Sequence, residues 1–209
     1  MKRPYPPERL LELDPIDDMD FEPAFELKEW IWETFLDSNS DLYNKEHEHL
    51  TYFDRRFFEV LWASSAFIKA EKYVLGQTEK VMINVGGWKK ARQEKQMINW
   101  FGHVPTYLIT IDARFAAEAS DADLCALIEH ELCHIGVKRT EDGEPIFSSI
   151  TGEPKHYLRG HDVEEFHTVV QRYGASESVQ KMVDLANDGP TIRKANIAHA
   201  CGTCLLKLA

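Results

Sequence analysis

The stretch "SDADLCALIEHELCHIG", residues 120–136, constrains this chain more than any other. Leu124, Ile128, Leu132 and Ile135 recur at helical spacing and form one apolar face, which needs a core to lie against. Ser120 or Asp121 can cap the first turn, and Gly136 can end the helix. Beside the apolar face stand His130, Glu131 and His134, in the order His-Glu-x-x-His. Such a helix belongs between a packed interior and an open cleft. An apolar strand, "TYLITIDARF" (106–115), comes shortly before it, the order expected when a cleft is built between a sheet edge and the helix.

Positions i and i+4 of a helix share a face, so the imidazoles of His130 and His134 can bind one zinc ion. Glu131 sits beside the pair, where a carboxylate can take a proton from a zinc-acidified water and later return it. The competing reading is an amphipathic helix that carries two core histidines. The cap and the preceding strand favour the metal.

A catalytic zinc needs a third protein ligand and an open fourth position. His161 is the preferred third ligand: it follows Gly160 and precedes Asp162, which can cap a helix over 162–174, "DVEEFHTVVQRYG". Glu164 and Glu165 remain as alternatives, although Glu165 also suits a capping box with Asp162. Asp162 could instead accept a hydrogen bond from a ligand histidine. Tyr157, or else Tyr107, could donate to the oxyanion of a tetrahedral intermediate.

Further candidates lie outside this helix. "CGTC" holds Cys201 and Cys204, with His199 two residues earlier. Together they could hold a second metal ion, completed by a distant histidine or by Cys133. A reversible dithiol or two buried thiols would also account for them. Cys133, inside the His-Glu-x-x-His pattern, reads as core. His47 and His49, in "HEH", read as the polar start of a helix.

The remaining pattern predicts an α+β protein. Helices are expected over 24–36, over 47–76 as one long or two joined elements, over 162–174, and once more in the C-terminal segment. Strands are expected at 80–88 and 106–115, with an irregular connection or a hairpin between them, and a loop with a short hairpin after Gly136. Residues 1–22, broken by Pro4, Pro6, Pro7 and Pro15, read as an extended arm ahead of one domain over 23–209. Apolar residues at 44% suffice for a core.

Charge and hydropathy exclude some partners. Lys+Arg is 24 against Asp+Glu 35, a net charge of -11, which argues against a nucleic-acid backbone as the main partner. The local basic stretch "WKKARQEK" reads as a solvated helix face. No run approaches the roughly 18–20 apolar residues that span a bilayer. "MKRPYPPERLLELDP" contains no secretory core segment, so a cytoplasmic location is expected. Oligomeric state leaves no signature.

"IEHELCHIG" followed by "LRGHDVEEFHTVVQRYG", with "VGGWKKA" upstream and "CGTC" at the end, resembles the phage metallopeptidases, small HExxH proteins of bacteriophages and prophages. The resemblance covers most of residues 25–206. A looser similarity links the chain to SprT-like and WLM peptidases, in which the third zinc histidine is followed by an aromatic that opens a helix. His161 and Phe166 match that arrangement. The resemblance implies a compact zincin-like α+β domain, zinc, peptidase chemistry and a peptide or protein substrate. The tail does not match the zinc ribbon of DNA-dependent relatives. Two other functions stay open: a non-catalytic, zinc-stabilised phage protein that binds a host or phage protein, and a zinc amidase acting on a non-peptide bond.

Overall fold

A computed structural model of the chain describes residues 2–15, 19–69, 72–83, 85–163, 167–192 and 194–195. The fold is α+β. In chain order the first elements are α1 (Glu8–Glu12), β1 (Phe21–Pro23) and α2 (Phe25–Ile31), with α2 continuing into a π-helical turn over Trp32–Leu36. A 3-10 helix over Lys45–Tyr52 precedes β2 (Phe58–Ala63), β3 (Phe67–Lys69), β4 (Lys72–Val74) and β5 (Gly76–Lys80). Then come α3 (Gly87–Phe101), β6 (Tyr107–Asp112), α4 (Ala113–Glu118) and α5 (Asp121–Cys133). The hairpin strands β7 (Ile135–Val137) and β8 (His156–Leu158) lead to α6 (His167–Tyr173) and α7 (Glu177–Asp188).

The frame is a mixed four-stranded sheet in the order β1-β2-β6-β5. β2 runs parallel to β6, and both outer strands run antiparallel to their neighbours. All six residues of β2, "FEVLWA", are buried. Here the sequence expectation of helix over 47–76 fails. A central strand covered on both faces carries an unbroken apolar run, and its period cannot be told from that of a broad helical stripe. Gly76, the last residue of that expected helix, opens β5 instead.

The expected strand at 80–88 also moves: β5 ends at Lys80, and the segment expected to be irregular is the 15-residue helix α3. α3 has no buried residue. Its contacts gather in the last turn, where Trp100 meets Phe21 and Phe101 meets Phe25, and most of the remaining helix is exposed. Gly102 ends it at φ 77°, and its N–H donates to the Ile98 carbonyl. The basic residues of α3 stay on a solvated surface.

The prolines of the first segment do not keep it extended. α1 forms between Pro7 and Pro15, and Leu10 is fully buried. Tyr5 Oη donates to the Ala117 carbonyl at 2.6 Å, and Arg3 reaches both the Ala116 carbonyl and Asp121. Among the described residues, no helix is long and apolar enough to cross a membrane.

α5 lies on one face of the sheet, against β5. Leu124, Leu127, Ile128 and Leu132 have no exposed surface. Ser120 caps it, accepting from the Asp123 N–H at 3.2 Å. Gly136 does not end it: the helix stops at Cys133, with His134 as its cap, and Gly136 belongs to β7. There it makes room for Tyr157, whose ring would lie 2.9 Å from any added Cβ.

Candidate metal centre

Three local constructions bring the histidines together. His130 stands on the last turn of α5, and His134 follows as its C-cap, still at helical φ and ψ. From His134 the chain turns straight into β7, and β8 returns antiparallel with Ile135 opposite Leu158. That register sets Arg159 beside His134. The Arg159 N–H donates to the His134 carbonyl, and His134 Nδ1 lies 2.7 Å from the Arg159 carbonyl. A carbonyl only accepts, so Nδ1 carries the proton and Nε2 keeps its lone pair. Gly160 and His161 come next.

The result is a convergence of Nε2 atoms. His130 Nε2 is 3.3 Å from that of His134 and 3.1 Å from that of His161. Two ligands about 2.0–2.1 Å from a tetrahedral zinc ion stand about 3.3–3.4 Å apart, so these residues fit such an ion. Among the described residues this is the one group of three metal-ligating side chains within reach of a common point. Burial, then the neighbouring His134 and His161, push the His130 pKa down to about 4. The imidazole is thereby held neutral, the form that binds a metal. His134 is buried and His161 exposed, so the group opens to solvent on the His161 side. A cavity of about 360 Å³ lies there, lined by the histidines together with Cys133, Arg159 and Met182.

Glu131 takes a different position. It is fully buried and is absent from the lining of that cavity. Its side chain lies under β5, and the Thr78 hydroxyl stands 2.9 Å from Oε2 and 2.8 Å from the Glu131 carbonyl oxygen. Gly76, on the same strand, permits the close approach: an added Cβ would meet Oε1 at 2.9 Å. No local signal marks Gly76 or Thr78 as partners of the helix. They are found only once β5 is placed.

The other candidates fall as follows. Tyr157 lies on β8 and lines the neighbouring cavity instead of the histidine pocket. Tyr107 is fully buried on β6, with its hydroxyl 3.0 Å from His156 Nδ1. Asp162 accepts from Arg159 at 2.6 Å; the described part of the next helix is His167–Tyr173, and residues 164–166, between the two, lie outside the described residues. Glu164, Glu165 and Phe166 lie outside the described residues, as do His199, Cys201 and Cys204.

Two further expectations are corrected. Cys133 is not core: its position on the last turn of α5 leaves it exposed at the wall shared by both cavities, although desolvation of its thiol group still pushes its pKa up to about 11. His47 and His49 do lie on a short helix, but both are buried. His49 Nε2 is 2.6 Å from the Ile135 carbonyl, so the ring ties that helix to β7.

A family model described as "Putative phage metallopeptidase" matches residues 28–187. No curated protein and no solved structure gives a match.

Proposed function

The chain belongs to the phage metallopeptidase family, and from that premise we propose that it is a zinc-dependent peptidase with a zincin-like site. His130, His134 and His161 would hold the ion. The observation that carries the reading is the pair of Nε2 separations, 3.1 and 3.3 Å, which suits a tetrahedral ion. When bound, zinc supplies a Lewis acid that acidifies water and polarises a carbonyl.

The chain's own groups do the rest. Arg159, through its carbonyl, holds His134 in the tautomer that points a lone pair at the ion. Glu131 accepts a proton from the attacking water and passes it to the leaving amine nitrogen. Thr78 orients that carboxylate. A peptide would lie extended along a sheet edge. The strand over 106–115 cannot offer one, because β6 is paired on both sides; β5 is the outer strand beside α5.

One observation favours a second reading. Glu131 has no exposed surface and holds Thr78, as a purely structural acceptor would. On that reading the ion stabilises a binding protein and no bond is cut.

The test is metal content by mass spectrometry, for wild type and His161→Ala, each purified without added metal and assayed on a peptide pool. About one zinc per chain, sharply reduced in the variant and accompanied by cleavage in the wild type, is the expected result. A zinc that survives the substitution places an ion elsewhere, with His199, Cys201 and Cys204 the first residues to probe. Zinc without cleavage favours the structural reading. A wild type that takes up no zinc on reconstitution ends both.

A further inference from the structure

A second cavity, of about 950 Å³, opens beside the histidine pocket. Its wall carries Lys138, Arg139, Arg159 and Lys181 against two carboxylates, Glu46 and Asp162. Asp162 is already neutralised by Arg159 at 2.6 Å. Lys138, Arg139 and Lys181 have no carboxylate partner among the described residues. In a chain of net charge -11, this is a concentration of positive charge against the general balance. A concave wall of one sign focuses its field and draws in the opposite charge.

The wall also holds a buried polar group. His47 is fully buried, with Nε2 3.5 Å from Glu129 Oε2 and no hydrogen-bond partner at Nδ1 among the described residues. The two cavities are adjacent: Cys133, Arg159 and Asp162 line both. The Arg159 carbonyl also meets His134 Nδ1, so one residue belongs both to the cationic wall and to the support of the histidine group.

We propose that this cavity is a recognition subsite for a carboxylate of the peptide being cleaved, with Lys138, Arg139 and Lys181 as its cationic contacts. The inference rests on the peptidase reading above. A carboxylate can come from an Asp or Glu side chain or from the end of the chain. In either case its charge meets the lysine heads and the Arg139 guanidinium, which donates to the Gly143 carbonyl at 2.8 Å but faces no carboxylate among the described residues, while the scissile bond reaches the histidine pocket next door.

Binding is measured by fluorescence anisotropy on zinc-loaded Glu131→Gln protein, which separates affinity from turnover. One labelled peptide pair has a central Glu or Gln; a second, neutral pair has a free or amidated C-terminus. The carboxylate member of at least one pair should bind about tenfold more tightly at low salt. Which pair responds identifies the source of the carboxylate. Combined Lys138→Gln and Arg139→Gln substitution should reduce the preference to within about twofold, and Lys181→Gln is the alternative if the first variant does not fold. Equal binding within both pairs overturns the subsite. If wild type cleaves the neutral peptides with no carboxylate preference, the peptidase reading stands and the subsite falls. If the preference is present but wild type cleaves none of the four, the cavity remains a carboxylate-binding site, but its role as a substrate subsite falls together with the peptidase reading.

Discussion

Gly76 and Glu131 touch across the junction of β5 and α5: a Cβ on Gly76 would lie 2.9 Å from Glu131 Oε1 and 3.2 Å from its Cγ. The absence of a side chain at one residue thus sets where the carboxylate of another can rest. Leu127, at 3.0 Å on the same helix, leaves little room for an escape.

Gly76→Ala should therefore displace the Glu131 carboxylate without disturbing the histidines. The expected cost is about 1–3 kcal/mol of stability from overpacking. kcat should fall while zinc content stays at the wild-type level. Thermal denaturation, metal analysis and peptide hydrolysis check this together, and unchanged turnover would show that the position of Glu131 does not matter to the chemistry.

Glu131→Gln keeps the shape and removes the base. The variant should retain zinc and fold, and lose about 10²–10⁴-fold in hydrolysis. Hydrolysis at the wild-type rate would exclude Glu131 as the group that moves the proton.

Thr78→Val removes the hydroxyl that faces Glu131 and conserves volume. A buried carboxylate deprived of one donor should destabilise the fold by about 1–3 kcal/mol, and kcat should fall more than KM rises. Thr78→Ser, which keeps the hydroxyl, should recover most of the turnover. Equal activity in the Val and Ser variants would reduce Thr78 to packing.

Acid should weaken the metal-free protein. Burial lowers the pKa of His49 and His156, and it lowers that of His130 to about 4. Above the usual 6.5 these groups are neutral whether folded or not, and stability is unaffected. Below it the unfolded chain takes up protons that the folded chain refuses, so stability falls from pH 6.5 towards about 4 for His130. Melting temperatures of stripped protein between pH 7.5 and 5.5 should decline, and less steeply in His130→Ala. Identical slopes in the two proteins would remove His130 from the account.

Far from the site, Lys28 Nζ and Glu59 Oε1 pair at 2.6 Å with almost no exposure. Glu59→Gln leaves the Lys28 ammonium buried without its counter-charge, and should cost about 3–5 kcal/mol. Replacing both by Met and Leu should cost less than the single change; a double variant at least as unstable as Glu59→Gln would show that the pair is more than charge cancellation.

Parts of this structure could be read directly from the chain. α5 could, because its cap at Ser120 and its apolar spacing act within a few residues. β6 could, because an apolar, β-branched run of six sits between turn signals. β2 and α3 could not, for opposite reasons. β2 is so thoroughly covered that its period vanishes, whereas α3 buries no residue and meets Phe21 and Phe25 through Trp100 and Phe101 in its last turn, which leaves little apolar face to read. His47 and His49 look like surface residues until α5 and β7 pack on them, with Glu129 facing His47 and the Ile135 carbonyl meeting His49.

The centre divides in the same way. By itself the sequence determined that His130 and His134 share one face of a capped helix, since four residues make one turn. It left open whether His161 or a glutamate would return to them, and it gave no sign that Thr78, 53 residues away, would hold Glu131. Tertiary structure carries His161 Nε2 to 3.1 Å from His130 Nε2 through the β7–β8 register, with Glu164 and Glu165 outside the described residues, and the placement of β5 on α5 shuts Glu131 inside. Helical spacing is a property of neighbouring residues, whereas strand register depends on which distant segments pack together.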